Sequence, residues 1–168
     1  MLLILKITCV LLTSISMSLS LAHALELPGK LRLDKEAYLT VQKIYYPGFT
    51  VGGFGEVLGL VAILALLWWT PTESAAFKWT LASFAALLAT HITYWVLTHP
   101  VNNFWLKDSN LKGLSASFFG TSRDQHAAPK ADEANVWKHF RNRWEFSHVV
   151  RAVLAMASLI LLVVAIAR

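Results

Sequence analysis

The stretch Trp137-Lys-His-Phe-Arg-Asn-Arg-Trp-Glu-Phe-Ser-His-Val-Val-Arg151 runs without a break into the apolar segment Ala152 to Ala167. Within it, Trp137, Arg141, Trp144, His148 and Arg151 are spaced 4, 3, 4 and 3, the repeat that puts side chains on one face of an α-helix. That face is aromatic and ionisable, and it enters a segment apolar enough to cross a bilayer. Polar groups at such depth are costly and persist where they face a protein interior, a cavity or a cofactor. The stretch therefore predicts a helix whose polar side looks into a membrane-embedded bundle.

The composition agrees. Of 168 residues, 56% are apolar and 15% charged, and the mean hydropathy is +0.52, too apolar for an ordinary soluble domain. Four apolar stretches, about 2–25, 49–69, 77–97 and 147–167, each approach the ~20 residues that cross a hydrocarbon core as a helix. Two polar segments, about 28–47 and 99–146, and a tight connection at Thr70-Pro71-Thr72-Glu73 make up the rest. The expected fold is all-α: an integral membrane four-helix bundle forming a single domain over 1–168.

Lys6, an apolar run and Ala22-His23-Ala24 also look like a signal peptide with a small-x-small cleavage site. Charge decides against cleavage. Lys30, Arg32, Lys35 and Lys43 follow the first span, and Lys107, Lys112, Arg123, Lys130, Lys138, Arg141 and Arg143 lie in the long third connection, against Lys6, Lys78 and Arg168 on the other side. The positive-inside rule then predicts both long basic segments in the cytoplasm and both termini outside. The net charge of +5 is loop charge drawn to anionic lipid headgroups. It is scattered and accompanied by no binding motif, so nucleic acid is not an expected partner. Cys9 is the only cysteine, which excludes an intrachain disulfide and a multi-thiolate metal site.

Small residues line the other spans at helical spacing: Cys9, Thr13, Ser16, Ser20 and His23 in the first, Gly48, Gly52, Gly55 and Gly59 in the second, Ser83, Ala86, Thr90 and Thr93 in the third. Small side chains let helices approach closely in lipid, and that accounts for most of them. It does not account for His23, Glu26, Glu56, His91, Glu145 and His148, which fall within or at the ends of spans, at least one per helix. A charged carboxylate at mid-membrane costs at least ~2.5 to 3.5 kcal/mol on insertion scales. These groups are therefore expected to converge and neutralise one another, or to bind a cation.

Glu145-x-x-His148 has the spacing used by two-metal carboxylate bundles. His23-x-x-Glu26 offers the pair in reverse, and Glu56 and His91 could complete a shell for iron, manganese or zinc. Three readings stay open: a transition-metal site on Glu145, His148, His23, Glu26, Glu56 and His91, with haem on an axial His23, His91 or His148 less favoured; a cofactor-free polar pocket; or a structural network of ion pairs. Arg141 is four residues before Glu145, the spacing of a helical ion pair. Arg151 lies a turn inside the fourth span and needs a partner such as Glu56 or Glu26. Trp68, Trp69, Trp79, Trp95 and Trp105 suit an interfacial aromatic belt, whereas Trp137 and Trp144 can wall a pocket for a flat apolar substrate. His99 reads as an interfacial turn residue, and His126 and His139 as surface positions.

The four-span layout resembles the anthrone oxygenase-like family of small membrane proteins. The resemblance rests on His23-Ala-Leu-Glu-Leu-Pro28 closing the first helix, Val41-Gln-Lys-Ile-Tyr-Tyr46 with glycines after it, Pro100-Val-Asn-Asn103, and Trp137 through Arg151. It implies an oxidoreductase that converts a polycyclic anthrone to a quinone with molecular oxygen. By that resemblance His148, Arg141 and Trp144 are pocket residues, with Asn102 and Asn103 near the mouth. The sequence thus points to a membrane oxygenase acting on a lipophilic aromatic compound, with His148 the proton acceptor and Arg141 or Arg151 stabilising an oxyanion. The competing class is a non-enzymatic membrane subunit or small transporter in which the same groups pair structurally or relay protons. Intact mass of the membrane-extracted protein is expected to include residues 1–24; a mature chain beginning at Leu25 would overturn the retained first helix.

Overall fold

The computed structural model describes residues 1–45, 48–105 and 133–168, with 103–105 and 133–135 described as backbone only. It comprises α1 (Leu2–Lys30), α2 (Lys35–Gln42) with a 3-10 turn over Lys43–Tyr45, α3 (Gly48–Trp68), α4 (Ala75–Thr93), a π-helical turn (Tyr94–Thr98), α5 (His99–Trp105) and α6 (Glu133–Ala167). No strand occurs among the described residues. Leu2–Lys30, Gly48–Trp68, Ala75–Asn102 and Val136–Ala167 are long and apolar enough to cross a membrane.

The packing partners are α1 with α3, α3 with α4, α4 with α6, and α6 back on α1. Ser16 meets Glu56, Glu56 meets His91 and Ser83 meets Ser158, so consecutive spans run antiparallel in an up-down-up-down bundle. The small-residue stripes make these contacts. In α1 the buried positions are Cys9, Thr13, Ser16, Ser20, His23 and Lys30. On α3, a Cβ on Gly52 would collide with the Leu19 side chain, and one on Gly55 would stand 3.1 Å from Ile15. Gly48 departs from the expected stripe: nothing lies within 4 Å of where its Cβ would be. Between α4 and α6, Ser83 Oγ donates to the Ser158 carbonyl at 2.8 Å and Ser158 Oγ to the Ser83 carbonyl at 2.9 Å, a reciprocal clasp possible only at close backbone approach.

Three boundaries differ from the sequence reading. The first helix does not close at Pro28 but continues to Lys30; a proline this near the end removes one backbone donor, and the last turn survives it. The fourth helix begins at Glu133, ahead of its apolar part. The segment 28–47, read as a polar connection, contains α2, whose Asp34 accepts from the Ala37 amide at 2.9 Å as a helix N-cap. The third span also carries a π turn, in which the His99 amide reaches the Tyr94 carbonyl. Pro100 has no amide hydrogen for the Val96 carbonyl; Arg143 Nη2 supplies the donor from α6 at 2.8 Å.

Cys9, Ile63, Leu66, Leu87 and Leu162 form an apolar core towards the ends where α1 begins and α6 finishes. The other end holds the polar groups. Gly55→Val is expected to force α1 and α3 apart and cost roughly 1–3 kcal/mol, while Gly48→Ala stays within about 0.5 kcal/mol; thermal unfolding of the two purified variants in one detergent checks the contrast.

Candidate functional site

The site starts from a lysine. Continuing the α1 stripe of 4 and 3 beyond His23 leads through Leu27 to Lys30, whose side chain is only 3% exposed. Its ammonium meets Glu26 Oε2 at 3.0 Å, His23 Nδ1 at 3.2 Å and Glu145 Oε1 at 3.6 Å, and stands about 5 Å above the rings of Trp144 and Tyr45. Three donors thus face three acceptors, with aromatic faces completing the surroundings.

Glu145, 1% exposed, also accepts from Tyr38 Oη at 2.8 Å, and Glu26 accepts from Tyr45 Oη at 2.6 Å. Burial and Glu145 push the Tyr38 phenol above its ordinary range, and burial followed by the Glu26 hydrogen bond does the same for Tyr45. Both remain donors to their carboxylates.

Around this centre the rings close in. His23 and His148 lie with centroids 4.2 Å apart, His148 and Trp144 4.1 Å, His23 and Tyr45 4.4 Å. Trp144 Nε1 donates to Asn102 Oδ1 at 3.0 Å. Glu145 Oε2 and His148 Nε2 are buried and have no polar partner among the described residues. They sit three residues apart on α6, hence on one face.

A second cluster lies alongside. Glu56 accepts from His91 Nδ1 at 2.9 Å, Ser16 Oγ at 2.9 Å and Arg151 Nη2 at 3.0 Å. His91 Nε2 accepts from Trp95 Nε1 at 3.0 Å, which fixes the His91 proton on Nδ1. Arg151 joins the clusters, its Nη1 lying 3.5 Å from His148 Nδ1.

The sequence-predicted residues therefore divide. His23, Glu26, Glu145, His148 and Trp144 gather around Lys30; Glu56, His91 and Arg151 form the neighbouring cluster, with Arg151 on the partner expected for it. Asn102 meets Trp144. The Asn103 and Trp105 side chains and all of His126 lie outside what the structure describes. Arg141 does not pair with Glu145: its guanidinium lies over Trp137, 5.0 Å from the ring centroid, and donates to Asn142. His99 is partly exposed beside Tyr94 and Trp95, and His139 is exposed beside Phe140. The six candidate metal ligands are not gathered: no group of three His, Cys, Asp or Glu among the described residues could hold an ion. Lys30 and Arg151 take the places where a cation would balance these carboxylates. Lys30, Tyr38 and Tyr45 were missed as site residues. Lys30 was discoverable from the stripe it extends and from Glu26 four residues earlier; the tyrosines gave no spacing signal.

These features define a class: a four-helix membrane bundle with, at one end, a buried cluster of two imidazoles and aromatic rings beside a carboxylate oxygen that has no hydrogen-bond partner among the described residues. The family model for anthrone oxygenase matches residues 43–161, and the chain belongs to the anthrone oxygenase family. No curated protein and no solved structure matches it. The match begins after α2, so His23, Glu26, Lys30 and Tyr38 come from the part of the chain ahead of it.

A phenol raised in the folded state favours the fold less as pH rises: stability from Tyr38 and Tyr45 is present below the free phenol value of about 10 and is lost above it. Urea unfolding in micelles is expected to show stability falling above about pH 10, and Tyr38→Phe to flatten that fall; an unchanged slope would remove Tyr38 as its source.

Proposed function

We propose that the protein is an oxygenase-type oxidoreductase that takes a lipophilic, multi-ring aromatic ketone from the bilayer and oxidises its ring methylene with molecular oxygen. The observation that carries this reading is the pair Glu145 Oε2 and His148 Nε2, buried on one helix face beside Trp144 with no hydrogen-bond partner among the described residues; the family supplies the substrate class. We propose with it the topology inferred from loop charge, with both long basic segments cytoplasmic and both termini outside.

The roles follow from which atoms can donate. A guanidinium only donates, so His148 Nδ1, facing Arg151, holds the lone pair, and Nε2 carries the proton of the neutral ring. His148 then differs from the acceptor expected of it: Nε2–H donates to the substrate carbonyl. Glu145 Oε2 takes a proton from the methylene, the electron pair moves into the ring system, and the carbonyl oxygen becomes an oxyanion held by His148. Oxygen oxidises the resulting anion; overall one CH2 and one O2 give one C=O and one water. The fully paired Ser16, Glu56 and His91 serve structure, and Arg151 positions His148.

Anaerobic mixing with anthrone, then oxygen, followed by quinone absorbance, tests the reading. Glu145→Gln and His148→Gln are expected to lose about 10²- to 10⁴-fold in turnover while remaining folded. Activity retained per folded molecule in both variants would favour the non-enzymatic alternative, in which this network only stabilises a membrane subunit or relays protons.

A further inference from the structure

A groove of about 570 Å³ opens beside the Lys30 centre, between the last turns of α1 and the segment running from α2 into the 3-10 turn. Leu25, Leu33, Val41 and Ile44 make the apolar part of its wall. Leu25 and Ile44 at its mouth are each 72% exposed, and Arg32 stands at the rim. An open groove of this size seats one face of a small molecule.

What sets the groove apart is what it shares. Lys30, Glu26 and Tyr45 line it, and the same three side chains form the near side of the buried site: the Tyr45 ring lies 4.4 Å from His23, and the Lys30 ammonium 3.2 Å from His23 Nδ1. The partition between the groove and the imidazoles is thus one residue thick. Its depth also fits a lipid route. The groove lies where α1 ends its apolar run, the level at which a bilayer passes from hydrocarbon to headgroups, and a hydroxylated aromatic, apolar with a polar edge, collects at that level. An ionised hydroxyl finds Arg32 at the rim, and the Glu26–Tyr45 hydrogen bond presents polar atoms at the inner end.

We infer that this groove is the lateral entrance through which a hydroxylated multi-ring aromatic passes from the bilayer interface to the His23–His148 cluster, with Tyr45 as the partition it must displace. This rests on the proposed substrate class. It assigns to residues 25–45 a role separate from the chemistry on α6.

The test uses full-length protein in nanodiscs, without oxygen so that nothing turns over, and 1,8-dihydroxyanthrone as the probe. Stopped-flow quenching of tryptophan fluorescence gives the association and dissociation rates. Leu25→Phe with Ile44→Phe narrows the mouth at two exposed positions, so folding is spared. An obstruction outside the resting site slows entry and exit alike. Both rates are therefore expected to fall tenfold or more with Kd changed less than threefold, and Ile44→Ala to raise both. Val61→Phe, on the exposed side of α3, should change neither. Saturable binding with rates within twofold of the parent would overturn the entrance and leave the proposed function standing, and so would a weaker Kd from faster dissociation alone, which would make the groove the resting site. Absence of saturable quenching in the parent would overturn the substrate class and the entrance together.

Discussion

An ammonium group buried in an apolar bundle must be surrounded by acceptors or it will not stay charged or will not stay buried. Lys30 meets that condition through three groups from two helices, and the site is organised by how it does so. Glu26 holds it from within α1, and Glu145 draws it across to α6, so the ion pair fastens the first span to the last. His23 presents Nδ1 to the same nitrogen and thereby takes up the orientation that puts its ring against His148, Tyr45 and Trp144. Glu145 spends Oε1 on Lys30 and Tyr38, which is why the oxygen left over is Oε2. Removing the lysine would leave a buried carboxylate without its counter-charge, a loss of about 3–5 kcal/mol in comparable cases.

That arrangement is affordable in lipid because of where the long helices put it. At about 1.5 Å per residue, the 35-residue α6 is roughly 52 Å long, well beyond a hydrocarbon core of about 30 Å, and the 29-residue α1 overhangs as well. The overhang falls at the end bearing Lys30, Tyr38 and Glu145, and a polar group carried beyond a hydrocarbon core costs less to bury. Deeper in, association relies on the glycine face of α3 and the Ser83–Ser158 clasp. The one charge pair placed further along the span, Glu56 with Arg151, is also the one with every carboxylate oxygen hydrogen-bonded.

Helix content and the inward faces were legible from periodicity, because a bundle in lipid buries small and polar residues on one side of each span and the 4, 3 spacing records this directly. Cys9 through His23 and Trp137 through Arg151 both appear in the structure as buried stripes. What was not legible had two sources. Pro28 and the charge of Lys30 read as the end of a span, since a proline and a lysine after an apolar run ordinarily signal a helix leaving the membrane; tertiary pairing overrode both. Tyr38 and Tyr45 act across 107 and 19 residues of sequence separation, and no local pattern encodes a contact between a short polar helix and the far end of α6. The Arg141–Glu145 pair failed for a related reason: i,i+4 spacing makes such a pair available without requiring it, and the Arg141 guanidinium lies instead over Trp137 and donates to Asn142.

The distribution of unsatisfied atoms then separates the two polar clusters more sharply than their composition does. Both contain a glutamate, a histidine and a cation. Around Glu56 both carboxylate oxygens and the histidine tautomer are accounted for, with Trp95 on one ring nitrogen of His91 and Glu56 on the other, and the atom left over among the described residues is a donor, Arg151 Nε, with no acceptor beside it. Around Lys30 the two cations hold only the Nδ1 edges of His23 and His148. Cations so placed direct the lone pairs towards themselves and turn the N–H edges the other way. The Nε2 of His148 and the Oε2 of Glu145 are therefore a donor and an acceptor with capacity to spare, held by an aromatic frame that restricts their movement. A buried group left unpaired costs about 1–3 kcal/mol, a cost that a ligand supplying both a carbonyl and an acidic hydrogen would offset on binding.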